Sequence, residues 1–336
     1  MSQLDCFALS QKLSSLSNAA HYQVECYLRY LQSRNYADGT QLVVVSCLRR
    51  FLNHQPRPRR RQLSADLCLT TAADVEQFVS IAGRSELAPA TINNTLSNLA
   101  VMFDFFVEEE KMRQSPVRRR HRVFAPQHLP KPMAEADVKR FFRVIDKVGD
   151  RLMFLLMLRC GLRVSEVAHL QWTDIDFASG TVRVNNSKGQ VDRILYLSPD
   201  AASTLSLWQK ADSDQKWLFP SEAVKNQPLN IRTIYRRMMR YLEKAGVGQH
   251  YSPHNLRHTF ATQLLNAGIQ LEVLKELMGH RSLAMTLCYT QLYETTKPPI
   301  RCGDGAHSNP ASRFARRINR ALTLNEGGIK QCCPMK

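Results

Sequence analysis

The residues best equipped for chemistry fall between positions 160 and 289. In Ser252-Pro253-His254-Asn255-Leu256-Arg257-His258-Thr259 the proline suits the first turn of a helix. His254 and Arg257, three apart, then share one face, so a cation and a titratable ring point the same way. Twenty-three residues beyond Arg257 stands His280, in Met278-Gly279-His280, and nine further on stands Tyr289. Upstream lie Cys160-Gly161-Leu162-Arg163-Val164-Ser165-Glu166 and, between the two groups, Lys188 beside Gly189. Guanidinium groups, imidazoles and a phenol gathered in one place suit attack on a phosphodiester. Its transition state gathers negative charge on the nonbridging oxygens, and a phenol with a free pKa of about 10 must lose its proton as it attacks. Taken singly, each residue has a plainer reading. An H-x-x-R pair also marks a surface helix, Arg163 with Glu166 a helix ion pair, Lys188-Gly189 a polar turn and Tyr289 a core aromatic.

The elements that must position these residues can be read from periodicity. Gly149–Leu158 is a strongly apolar helix that stops at Gly161, and a polar helix over Val164–Leu170 follows. Thr181–Val184 and Arg193–Leu197 alternate as two strands, with a turn over Asn185–Gln190 that places Lys188 near a hairpin tip. From Pro199 to Tyr289 the chain reads as helices, broken at Gly246–Tyr251 and at Gly279. The N-terminal third reads as a separate helical module, with helices over Ala19–Leu31, Gln41–Leu52, Ala72–Ile81 and Thr91–Glu110. Arg49, Arg50 and the run Arg57-Pro58-Arg59-Arg60-Arg61 form a basic loop in this reading. Between module and remainder, residues 113–132 combine Pro116, Pro126, Pro130 and Pro132 with Arg118, Arg119, Arg120 and Arg122, a stiffened basic linker.

Composition bounds the partners. The 336 residues carry 46 Lys and Arg against 29 Asp and Glu, a formal charge of +17. The excess runs along the whole chain: 16 basic against 11 acidic side chains over 1–126, 23 against 16 over 127–300, and 7 against 2 over 301–336. A polyanion is the natural partner, because each cation at a phosphate releases counterions. A hydrophobic fraction of 44% argues against global disorder. Nine cysteines at irregular spacing imply no disulfide framework. No leader or membrane span is apparent, so a cytoplasmic location is expected.

With these motifs in order and at these separations, the chain resembles the tyrosine recombinases, the phage-integrase family that includes the Xer-type enzymes. The family patterns G-L-R-x-S-E, a hairpin lysine, H-x-L-R-H-T-x-A-T, L-G-H and Y-T correspond to Gly161–Glu166, Lys188, His254–Thr262, Met278–His280 and Tyr289-Thr290. The resemblance covers residues 19–293. It implies a mainly α fold with a small antiparallel β-sheet: a SAM-like core-binding domain over 19–112 after an N-terminal extension (1–18), and an α+β catalytic domain over 133–299. It also implies roles. Arg163 and Arg257 stabilise the phosphate, His280 donates a hydrogen bond to it, His254 accepts the phenol proton, Lys188 protonates the leaving deoxyribose oxygen, and Tyr289 is the nucleophile. The phosphotyrosine would conserve the energy of the broken bond, so neither metal nor ATP is needed. The absence of a G-x-x-x-x-G-K-[ST] loop agrees with that. Implied partners are double-stranded DNA and further copies of the chain, four subunits joining two sites through a Holliday junction. Accessory DNA-bending proteins are compatible with this, though no residue demands one.

Two features depart from the pattern. Pro298-Pro299 interrupts the chain where the family continues into a docking helix, and residues 300–336 form a divergent basic tail. Cys302, His307, Cys332 and Cys333 match no common zinc spacing, and a solvated tail is the better reading. Tyr293 is the rival nucleophile, but its spacing from His280 does not match the family's. Rival functions are a type IB topoisomerase and a cleavage-inactive DNA-binding regulator.

Overall fold

The computed structural model describes residues 5–126, 129–185, 192–211 and 215–289, apart from the side chains of 210 and 211. The chain divides into two compact units, Met1–Gln127 and His128–Lys336.

The first unit is all helical: α1 (Cys6–Ser10), α2 (Asn18–Ser33), α3 (Asp38–Asn53), α4 (Arg57–Ala65), α5 (Ala72–Arg84) and α6 (Pro89–Glu108). Leu28, Leu48, Phe51, Phe78, Leu99, Phe103 and Phe106 fill its core. Burying a side chain of this size contributes about 1.5–3 kcal/mol. Cys6, Leu9, Leu13 and Leu16 reach the same core, so the segment that reads as an extension is packed. In α2 the inward stripe is Ala20, Val24, Tyr27, Leu28 and Leu31, while Tyr22 faces solvent.

One expectation is overturned. The arginine run that reads as a loop is helix α4. Pro58 lies in its first turn, where the missing N–H costs nothing, and Leu63 anchors its inner face in the core.

The second unit contains α7 (Glu135–Arg143), α8 (Val148–Arg159), α9 (Val164–Ala168), β1 (Ile175–Asp176), β2 (Thr181–Val184), β3 (Arg193–Tyr196), α10 (Pro199–Ala211), α11 (Ile231–Lys244), α12 (Pro253–Asn266), α13 (Leu271–Met278) and α14 (Ala284–Leu287). The strands form one antiparallel sheet in the order β1-β2-β3, with Val182 opposite Leu195 and Val184 opposite Arg193. The two-residue β1 is too short to leave a periodicity. Helix α8 is buried on every side from Leu152 to Leu158, as its unbroken apolar run requires, and packs against α10 and α12.

Candidate active site

Two turns set the geometry. Gly161, just past α8, has φ +65°, and a Cβ there would lie 2.3 Å from the Phe260 ring of α12. Gly279, at the end of α13, has φ +59°, and a Cβ there would lie 2.7 Å from Nη1 of Arg193. Only glycine satisfies both the left-handed backbone and the close approach. The carbonyls around these turns then become hydrogen-bond acceptors for arginine.

Arg257 is 4% exposed on the inner face of α12. Its Nη1 donates to the Gly161 carbonyl and its Nη2 to the Met278 carbonyl, so one guanidinium ties the α8 and α13 turns together. Arg163 precedes α9. Its Nη2 donates to the Gly279 carbonyl (2.8 Å), its Nη1 to Oε1 of Glu166 (2.7 Å) and its backbone N–H to Oε2 (2.7 Å). Arg193, from β3, donates to both oxygens of the same carboxylate at 3.1 and 2.7 Å, and Arg257 lies 3.9 Å from it. Burial raises the Glu166 pKa, but the hydrogen bonds and charge of Arg193, the Arg163 amide and the Arg257 charge outweigh it and hold the group below its usual range. Burial, then Arg163, pulls Arg257 down to about 9, against the pull of Glu166; it stays charged at neutral pH. Three guanidinium groups around one carboxylate leave the cradle positive and ready for an anion.

His280 follows the Gly279 turn, its backbone N–H bonded to the Lys275 carbonyl (3.0 Å) and its Nδ1 2.9 Å from the Thr286 hydroxyl. Burial, then Arg257, Arg163 and Arg193, lowers its pKa to about 4. Tyr289 is 3% exposed, and its hydroxyl lies 2.7 Å from Nδ1 of His258. Burial, then Cys288, pushes the phenol up to about 12, against the opposing pull of Arg257 and Arg163. Burial, then His254 and Arg257, lowers His258 to about 4. At neutral pH both partners are uncharged, and the phenol donates to the imidazole.

The chain is 31% identical over 273 residues to tyrosine recombinase XerA of Pyrococcus furiosus, an alignment covering 80% of this chain and 89% of that protein. It is also 31% identical over 291 residues to tyrosine recombinase XerC of Escherichia coli O157:H7, covering 81% and 92%. The phage integrase family model matches residues 131–296. The chain belongs to the phage integrase family of tyrosine recombinases.

The fold agrees with that membership: mainly helical, with a small antiparallel sheet. A lambda integrase dimer bound to a COC' core site superposes with a TM-score of 0.66 at 20% identity, covering 84% of this chain and 99% of that one. The Tn1549 transposon integrase in complex with circular intermediate DNA gives 0.60 at 20% identity, covering 94% and 99%.

Of the residues carried over from the family's motifs, the structure brings Arg163, Arg257, His280 and Tyr289 into one cluster. His254 stands at its rim, exposed, with its ring centre 6.5 Å from that of His258. Its pKa is lowered by burial of its inner flank, then by Arg257 and Arg163. Lys188 and the rival Tyr293 lie outside the described residues. The contact expected of His254 is made by His258. Residues 254 and 258 are one turn apart on α12, so their spacing put both rings on one face, but only packing shows which meets the phenol. Arg193 escaped the sequence reading because its contact with Glu166 depends on strand pairing. Among the described residues no group of three or more His, Cys, Asp or Glu is placed to hold a metal, and no helix is long and apolar enough to cross a membrane.

Proposed function

We propose that this chain is a site-specific DNA recombinase that cuts and rejoins strands through Tyr289. One observation carries the reading: a buried phenol hydrogen-bonded to a neutral imidazole, beside a cradle whose three arginines outnumber its single carboxylate. Tyr289 Oη attacks phosphorus in a DNA backbone phosphate. The Oη–P bond forms while the phenol proton passes to Nδ1 of His258, and the bond from phosphorus to the 5′ oxygen breaks. Lys188 gives that oxygen its proton, and the 3′ end stays on the tyrosine. The 5′ hydroxyl of a second strand then attacks the phosphotyrosine, resealing DNA and returning the proton to the phenol.

Timing follows from the two acidities. Each pKa unit is worth about 1.4 kcal/mol, and values of about 12 and about 4 lie far apart. Full proton transfer ahead of attack is therefore too costly, and the proton moves as the Oη–P bond forms. A bound phosphate raises both values, since its negative charge favours imidazolium and opposes phenolate. Arg163 and Arg257 hold the nonbridging oxygens. His280, accepting the Thr286 hydroxyl at Nδ1, carries its own proton on Nε2 and donates a hydrogen bond from there to the phosphate. His254, at the open rim, adds a further donor. Four copies on two sites would exchange strands in sequence through a Holliday junction.

Genomic fragments incubated with the protein, denatured and captured as covalent adducts should yield a shared site, with the 3′ phosphate on protein and a free 5′ hydroxyl. Two copies of that site on marked DNA should then give exchanged products. Relaxed circles alone would make the chain topoisomerase-like, and binding without adducts would make it a regulator.

A further inference from the structure

Arg193 belongs to none of the motifs that mark the site, yet the cradle closes on it. In β3 the side chains alternate, with Ile194 and Tyr196 exposed and Arg193 and Leu195 buried. Its partner across the ladder, Val184, is buried as well, so the inner face of the sheet carries a guanidinium where an apolar side chain would ordinarily sit. A charge in such a place is tolerated only when it is paired and hydrogen-bonded. Both terminal nitrogens of Arg193 go to Glu166, and its Nε is buried with no hydrogen-bond partner among the described residues. With the side chain 7% exposed, its terminal donors face the carboxylate rather than a bound strand.

The two flanks of Arg193 are the two anchors of Arg163. On one side, each oxygen of Glu166 accepts from both arginines: Oε1 from Nη1 of Arg163 (2.7 Å) and Nη1 of Arg193 (3.1 Å), Oε2 from the Arg163 amide (2.7 Å) and Nη2 of Arg193 (2.7 Å). On the other, the Arg193 guanidinium lies against the bare Cα of Gly279, where a Cβ would come within 2.7 Å of Nη1 and 3.2 Å of Cζ. The Gly279 carbonyl is the acceptor for Nη2 of Arg163 (2.8 Å). Arg193 thus holds the carboxylate plane and backs the turn. Its removal strips one donor from each Glu166 oxygen and opens a void beside Gly279, and Arg163 then loses the fixed geometry of both acceptors.

We infer that Arg193 is a positioning residue: through Glu166 and the Gly279 turn it fixes the direction in which the Arg163 guanidinium meets a nonbridging phosphate oxygen. What Arg163 does there rests on the recombinase reading, whereas the hold on Arg163 does not. The planar fork matters as well as its charge, because a lysine ammonium cannot engage both carboxylate oxygens in one plane.

The test compares the full-length wild type with Arg193→Gln and Arg193→Lys in single-turnover cleavage of the duplex recovered by covalent capture. Two scissile groups are used: the natural phosphate, and each stereoisomer of a methylphosphonate, whose methyl replaces one nonbridging oxygen and removes the negative charge. Both variants should cleave the natural phosphate about 10- to 100-fold more slowly, the cost of a misplaced group. On the methylphosphonate that deficit should shrink several-fold, since the charge that Arg163 must meet is gone. An equal deficit on both scissile groups would mean only fewer folded molecules, and a wild-type rate in Arg193→Lys would mean that charge without the fork suffices; either result overturns the inference, as does a wild-type rate in Arg193→Gln. Arg163 is also read without DNA. Its guanidinium N–H signals in ¹³C,¹⁵N-labelled protein should be separate in the wild type and averaged by rotation in Arg193→Lys, and unchanged signals overturn the inference. Should Arg193→Gln fail to fold, Arg193→Lys carries both measurements. A wild type that never cleaves removes the recombinase reading and leaves the Arg163 signals to decide this one, so the two failures look different.

Discussion

Nδ1 of His258 and the hydroxyl of Tyr289 lie 2.7 Å apart, with their rings tilted by 53° and centred 5.6 Å from each other. In the proposed mechanism this contact lets His258 receive the phenol proton. His258→Gln should lower single-turnover strand cleavage by about 100-fold or more, the usual weight of a positioned base. His254→Gln should cost less, because its ring sits at the rim. Cleavage by the wild type should fall with acid as His258 becomes protonated, and the glutamine variant should lack that limb. Quench-flow assays on a nicked duplex, run across pH, would show either pattern.

The anchoring carboxylate makes a different prediction. Glu166 faces Arg163, Arg193 and Arg257, and removing its charge strands buried cations. Glu166→Gln should destabilise the second unit by about 3 to 5 kcal/mol. Urea unfolding would register this as a lower midpoint. A shift near zero would mean that the carboxylate does not organise the cradle.

Gly161 tests the turn. Alanine there meets both the φ of +65° and the Phe260 ring. Gly161→Ala should cost at least about 2 kcal/mol. It should also slow cleavage, because the Gly161 carbonyl holds Arg257. Thermal unfolding and the same cleavage assay read the two effects.

The two histidines held near 4 set a pH dependence for stability. Both sit below the free value of 6.5, so the unfolded chain binds more protons than the folded one between these limits. Stability should therefore be full above about pH 6.5 and decline as pH falls towards 4. Double substitution of His258 and His280 by glutamine should flatten that decline in a melting-temperature series.

Much of this site was legible because its chemistry lies in short local patterns. Arg163 with Glu166 spans four residues, His254 with Arg257 one helical turn, and Gly279 announces the turn that holds His280. The missing parts depend on residues distant in the chain. Arg193 reaches Glu166 only because β3 pairs with β2, and nothing within its own strand signals that role. Packing depth, not spacing, decides that His258 meets the phenol. In the first unit, α4 read as a loop because prolines and arginines hide a helix anchored mainly by Leu63. In α2 the core takes Val24 and Leu28 and leaves Tyr22 exposed.

The role proposed for Tyr289 is tested by identifying the residue that carries DNA. The protein is trapped on a nicked suicide duplex, digested, and the DNA-linked peptide sequenced by mass spectrometry. A phosphodeoxynucleotide is expected on Tyr289, and no adduct from Tyr289→Phe. An adduct on Tyr293, or one that survives Tyr289→Phe, would contradict that role.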